Sequence, residues 1–544
     1  MQMQRPGLYV QTRVRPAEPV PLRSDIAGFI GRAYRGPVGT AMRLESWREF
    51  ESAYGGLTPE SNLSYAVRGY FENGGQIAYV LRTGHEAPLT ATPRKGEFSR
   101  ARSLPAAPRP PIQVIAASPG CWANGLRVSF TFRPAIVDPA SRRILRNAEL
   151  TLRVQPPQEP DEIIGPIALD ELLLREEPGD PEVDPLVRAV ANRSQLITIT
   201  ATLRDVLALG VGPLPLPRVV WDVTISQGVD GTADTADYGD ALTGICGSPD
   251  PALLAFPDVG QDMSRDDAAA FTRRAIAVCE QMKDRMVLVE VPADPATPEH
   301  PALGPQDAVA FAAACRQEPI PGGARAAAFY HPWLLVADPL GGIISPLRYV
   351  PPSGHVAGAI SRSDRERGAS YTPANTELVN AVDVARAFSE TVEAQLNRAG
   401  VNLIRCFPGE GLKIWGGSTL ARSGAPAYRN SGFVAHRRLI NRLVRAIHRV
   451  AEPLVFDNNG PELWLTLFRG VNSVLFEAFQ HGALKGNRPE EAYQIRCDAT
   501  INTQEIIDSG RVYCEIQVAP AAPMEFILLT ITFGGDGQLE VFES

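Results

Sequence analysis

The feature that most constrains this chain is a series of short apolar segments alternating with helical periodicity between residues 252 and 407. The segments ALLAFPDV, MVLVEVP, AAFYHPWLLVAD and VNLIRCF put apolar residues on both faces of any strand they form. Between the first three lie residues 264–282 and 305–316, where apolar positions recur at helical spacing. A strand apolar on both faces must be covered on both sides. Helical crossovers supply that cover when the strands run parallel. The expectation is an α/β core with a parallel sheet, continued through a Gly/Pro-rich loop (339–358), a long helix over about 375–399 and the strand LKIWGG.

The chain opens with the same texture. Residues 27–30 form an apolar strand, and Ser46 with Glu49 three residues later reads as a capping box. Gly55–Gly56 and Gly74–Gly75 stop two helices, and QIAYVLR returns as a strand. Residues 23–88 plus 236–420 therefore read as one discontinuous α/β core domain. The interruption is different in kind. IQVIAAS, GLRVSFTF, ELTLRVQ, QLITITATL and VVWDVTIS alternate apolar and polar residues between turn signals, which specifies an inserted β-rich outer domain at 111–235. A Pro-, Arg- and Ser-rich stretch, 89–110, reads as its linker. The acidic tract 159–184, ten acids against one Arg, reads as a solvated outer loop, since its carboxylates have no spacing that converges on an ion.

At 544 residues the chain exceeds a single core. Its net charge of -8 argues against a nucleic-acid partner. Seven cysteines, scattered and never spaced C-x-x-C, indicate neither a disulfide framework nor a metal site. Cys279, Cys315 and Cys406 sit in apolar runs and read as small core residues. No window reaches about 18 uninterrupted apolar residues, so no membrane insertion is expected. The N-terminal MQMQRPGLYVQTRVRP lacks the apolar region of a secretory signal, and cytoplasmic assembly follows as the expectation. No cofactor is expected.

One stretch inverts the sign of the chain. Between Glu410 and Glu452 there is no acid, while Lys413 and seven arginines fall inside. In HRRLINRLVRAIHRV, residues 436–450, Arg438, Arg442, Arg445 and Arg449 share one helical face opposite Leu439, Leu443 and Ile447. This pattern fits a solvated surface helix, or a docking helix whose cationic side meets an acidic partner.

A catalytic constellation is also present. Asp338 after the strand WLLVAD, His355 in SGHVAG and Ser418 in GGST follow the chain order of a subtilisin-like serine hydrolase. The interval from His355 to Ser418 is short for such a fold, and Ser418 sits in a Gly-Gly loop rather than at a helix N-terminus. The neighbourhood of Gly354 reads better as a tight packed turn. DRERG, 364–368, reads as an ion network within or between subunits.

Four blocks together resemble the tail sheath family of contractile phage tails and injection systems. They are PGLYVQ with AGFIGRAYRGPVGTAMRLESWREFESAYGG and YFENGGQIAYVLR; YVPPSGHVAGAISRSDRERGASYTPAN; GVNLIRCFPGEGLKIWGGSTLA; and CDATINTQEIIDSGRVYCEIQVAPAAPMEFILLTIT. The resemblance implies a non-enzymatic subunit that polymerises helically around an inner tube protein, contacts baseplate and terminal cap proteins, and contracts from a metastable extended state. It implies strand-exchange arms at 1–22 (Gly7, Leu8, Tyr9, Val10) and 524–544 (Phe526, Ile527, Leu528, Leu529, Ile531). A hairpin in an α+β C-terminal domain, 421–523, would accept them through Ile495, Cys497, Val512, Cys514 and Ile516. It also gives the arginine face its role, attachment to the inner tube.

Overall fold

The structure, a computed structural model, describes residues 23–88, 93–103, 112–137, 144–157, 160–172, 184–200, 203–208, 219–293, 303–317, 323–423, 432–521, 527–533 and 539–543. Its centre is a nine-stranded mixed sheet in the order Glu377–Leu378, Gly411–Trp415, Val401–Phe407, Ala327–His331, Met286–Val289, Leu253–Ala255, Ala27–Gly31, Ala78–Arg82, Ala41–Leu44. The six strands from Val401–Phe407 to Ala78–Arg82 run parallel, and antiparallel strands close both edges. Both faces are covered, as the two-sided apolar strands require. Leu254, Val287 and Phe329 pack under helices Arg265–Met282 and Pro305–Arg316, through Phe271, Ile276 and Phe311. Phe29, Val80, Leu288 and Tyr330 face helices Leu63–Glu72 and Ser353–Arg367, through Tyr70 and Ile360.

Two expectations fail beside this second face. The loop expected at 339–358 holds only as far as residue 346; strand Leu347–Val350 and helix Ser353–Arg367 replace the rest of it and the tight turn at Gly354. That helix packs so closely on Leu63–Glu72 that a Cβ at Gly354 would lie 2.1 Å from the Ala66 carbonyl oxygen, and one at Gly358 2.4 Å from that of Tyr70. In return, the His355 ring fills the space over Gly69. Small residues here serve backbone approach rather than a turn. The long helix over 375–399 is also corrected. Asn375 and Asn380 adopt positive φ, two short strands intervene, and only Glu390–Arg398 is helical. Helix Thr235–Cys246, capped by Asp234, was not anticipated.

The insertion is an antiparallel seven-stranded sheet in the order Glu162–Ala168, Glu149–Gln155, Arg127–Arg133, Val219–Ser226, Arg102–Ser103, Val114–Ala116, Ile197–Ile199. Alternation sets its two faces: Val128, Phe130 and Phe132 are buried while Arg127 and Arg133 are exposed. Two readings are corrected by pairing. Arg102–Ser103, placed in the linker, is a strand of this sheet. Glu162–Ala168, placed in a solvated loop, pairs with Glu149–Gln155 because Ile164 and Ile167 are buried there. In the central sheet Cys406 is exposed, unlike Cys279 and Cys315.

Beyond residue 432, helices Val434–Ala451 and Pro461–Gln480 pack together through Leu439, Leu443 and Ile447 against Leu467, Val471 and Leu475. They cover a sheet in the order Tyr493–Arg496, Val512–Val518, Ile527–Phe533, Leu539–Glu543. Among the described residues, no helix is long and apolar enough to cross a membrane.

Candidate assembly interfaces

The arginine helix, Val434–Ala451, is less free than its sequence implies. Its apolar stripe faces the neighbouring helix, but its polar side is divided. Arg438 is 4% exposed and makes a bidentate ion pair with Asp364 of helix Ser353–Arg367, with Nη1 2.5 Å from Oδ1. The same guanidinium donates to the Ser24 carbonyl at 3.2 Å, and the Ser24 hydroxyl donates to Asp364 at 2.8 Å. Asp364 remains raised above the usual carboxylate range because burial outweighs the pull of Arg438. Arg445 donates to the carbonyls of Arg23 (3.2 Å), Asp250 (2.6 Å) and Pro249, and its burial lowers its pKa.

The single solvated cationic face is therefore corrected. Arg438 and Arg445 turn inward and tie the helix to the central domain, whereas Arg442 is half-buried and Arg449 exposed. The balancing acid, Asp364, lies 74 residues away in sequence, outside the charge window that suggested an unopposed face. The signal that could have found it was DRERG, already read as an ion network.

The same contacts fix the point where residues 1–22 join the body. Arg23 holds Asp25 through two hydrogen bonds of 2.9 and 2.7 Å, and Arg365 lies 3.8 Å from the same carboxylate. Gly7, Leu8, Tyr9 and Val10 lie outside the described residues, as does Phe526.

In the C-terminal sheet, Val512, Cys514 and Ile516 alternate into the core. Tyr493–Arg496, which contains Ile495, pairs antiparallel with them, and Cys497 follows it. In this single chain, strand Ile527–Phe533 (with Ile527, Leu528, Leu529 and Ile531) lies on the far side of Val512–Val518, in the register Ile516↔Leu529. Among the described strands, Tyr493–Arg496 has a neighbour on one side only. Along it runs a groove of 480 Å³ lined by Phe468, Asn472, Tyr493, Ile495 and Glu515. An extended segment laid there would meet the open edge of this strand and a lining that mixes Phe468, Tyr493 and Ile495 with polar side chains such as Asn472 and Glu490.

The three candidate hydrolase residues do not assemble. Asp338 accepts from the Tyr65 hydroxyl at 2.8 Å and from the Leu340 amide at 2.9 Å. His355 Nδ1, which a triad carboxylate would hold, has no partner, and burial pushes the imidazole down to about 4. Ser418 is buried, its amide and carbonyl both bonded to the Asn402 side chain at 2.7 Å. Without a carboxylate-oriented imidazole beside the serine there is no route for the proton. No group of three or more His, Cys, Asp or Glu among the described residues could hold a metal ion.

Comparison with known proteins points the same way. Residues 231–420 match the phage tail sheath protein central domain. The tail sheath protein of Enterobacteria phage T4 is 26% identical over 196 residues, covering 35% of this chain. The chain spans only 28% of that relative's length. Among solved structures, the contracted helical sheath of the anti-feeding prophage is 20% identical with a TM-score of 0.51, over 96% of this chain and 97% of its own. The sheath tail protein of Listeria innocua is 11% identical with a TM-score of 0.59, over 94% and 95%.

Proposed function

We propose that this member of the phage tail sheath family, whose central domain spans residues 231–420, is the contractile subunit of a phage tail or tail-like particle. It polymerises helically around an inner tube and drives that tube through a target envelope as it contracts. It is a structural subunit and not an enzyme. The observation that carries the reading is the combination of the sheath central domain with a C-terminal sheet whose strand Tyr493–Arg496 keeps an open edge. The solved relatives include a helical sheath in its contracted state and a baseplate assembly, and those partners are extended here to this chain.

Strand exchange links the copies. Residues 7–10 of one copy join the C-terminal sheet of another, and strand Ile527–Phe533 leaves its own chain to pair with a neighbour's Val512–Val518. Backbone hydrogen bonds make the link tolerant of sequence and of rotation. Of the arginine helix, Arg442 and Arg449 meet the inner tube, while Arg438 and Arg445 hold the helix in place. Exposed ion pairs are worth about 0–1 kcal/mol each. That suits an attachment which holds by number and lets go on contraction.

Glu515 and Thr530 are registered partners across the two strands. A Glu515→Cys/Thr530→Cys chain, oxidised after assembly, tests the exchange directly. Covalent ladders of subunits on a denaturing gel are the expected result. Cross-linking confined to single chains in assembled material would refute the exchange.

A further inference from the structure

The loop 338–346 displays two bare isoleucines. Ile343 is 100% exposed and Ile344 98%, with Leu340 and Leu347 half-exposed on either side. This tip is built, not frayed. Asp338 anchors its base through Tyr65 and Leu340, its amide donates to the Pro346 carbonyl at 2.8 Å, and the Ser345 amide donates to Gly341. Gly341 is obligatory, since a Cβ there would sit 1.7 Å from the Ser345 carbonyl oxygen. An ordered loop that holds two isoleucines in water has prepaid the entropy of docking, and exposed apolar clusters of this kind mark interaction sites.

At the foot of the loop lies a cleft of 420 Å³ lined by Tyr65, Val336, Ala337, His355, Ala381 and Val382. Its lip, Val382, is 58% exposed. Burial and Arg68 push the His355 imidazole down to about 4, and the two charged side chains that also line the cleft, Arg68 and Glu72, pair with each other at 2.8 Å. Neither isoleucine lines this cleft, whose wall, strand Leu334–Ala337, leads into their own loop. One chain thus carries both a knob and a socket and fills neither.

We infer that Ile343 and Ile344 of one copy seat in the Tyr65–Val382 cleft of a second copy, a head-to-tail contact of the polymer. Repeated without closing, such a contact generates a helix rather than a dimer. The inference rests on the self-assembly proposed above and adds a side-chain contact distinct from strand exchange.

The test compares the wild-type chain with Ile343→Ser/Ile344→Ser, Val382→Glu and the conservative Ile343→Val/Ile344→Val. All the substituted side chains are exposed, so thermal melting of the monomer should not change. Pelleting against concentration should show the serine and glutamate variants needing about tenfold or more protein to polymerise, and the valine variant matching wild type. An equimolar mixture of Ile344→Cys and Val382→Cys chains, each also carrying Cys121→Ser and Cys406→Ser because those thiols are exposed, should cross-link between copies, while neither chain alone does. Polymerisation of the serine variant at the wild-type concentration, no mixed cross-link, or a discrete closed dimer joined by that link would overturn the knob-and-socket contact alone. A wild-type chain that never polymerises would overturn the assembly reading itself, and this contact with it.

Discussion

Arg438 and Asp364 form a buried bidentate ion pair that joins the C-terminal helix to the central domain at the point where residues 1–22 enter the body. Ser24 is bonded to both members of the pair, and the carbonyl of Arg23 before it accepts from Arg445. The pair therefore ties Ser24, helix Ser353–Arg367 and the arginine helix together.

Breaking this pair from one side should be costly, because it strands a buried charge. Arg438→Met is expected to destabilise the chain by about 3–5 kcal/mol in urea denaturation. Arg438→Met combined with Asp364→Leu should lose clearly less than the single variant. A double variant whose loss equals the sum of the two single-variant losses would mean that the pair is not coupled.

The close crossing of helices Leu63–Glu72 and Ser353–Arg367 should tolerate no added methyl. Gly→Ala inside a helix ordinarily gains about 0.5–1 kcal/mol. At Gly354 the new Cβ meets the Ala66 backbone, and Gly354→Ala should instead cost about 1–3 kcal/mol. A raised melting temperature would contradict the packing described.

Glu290 sets a pH dependence. Burial pushes its carboxyl from the ordinary 4.5 up to about 8, against the pull of Ser353 and the Phe256 amide. The native state therefore keeps a proton that the unfolded chain releases, and stability falls as pH rises from about 4.5 through 8. Buried His331 and His355, pushed down to about 3 and about 4, act oppositely, and their contribution is lost as pH falls from 6.5. Glu290→Gln should raise stability at pH 8 by a few kcal/mol, to order of magnitude, and leave the acid limb unchanged. Melting curves across pH check this, and an unaltered alkaline slope would refute it.

Arg442→Glu with Arg449→Glu should leave folding within about 0.5 kcal/mol of wild type, since neither side chain is buried like Arg438. Assembly around a co-expressed inner tube should nevertheless fail. Normal tube-filled particles in electron micrographs would remove these residues from the attachment.

The parallel sheet was legible because ALLAFPDV and MVLVEVP are apolar on both faces, a pattern with few structural solutions. Helix Ser353–Arg367 was not, since SGHVAG has the composition of a turn. Its glycines make sense only once the opposing backbone of Ala66 and Tyr70 is in place, and no local rule contains that information. The arginine helix failed for the same physical reason. Its period and apolar stripe were readable, but whether Arg438 faced water depended on Asp364 arriving from another domain. The knob at Ile343 and Ile344 was missed because GGII reads as an ordinary loop until its exposure is seen.

Electron microscopy of the purified chain, alone and co-expressed with the inner tube protein proposed as its partner, tests the central claim most directly. The expected result is hollow, helically ordered tubes with a lumen wide enough for an inner tube. Monomers or small closed oligomers under every condition would contradict it.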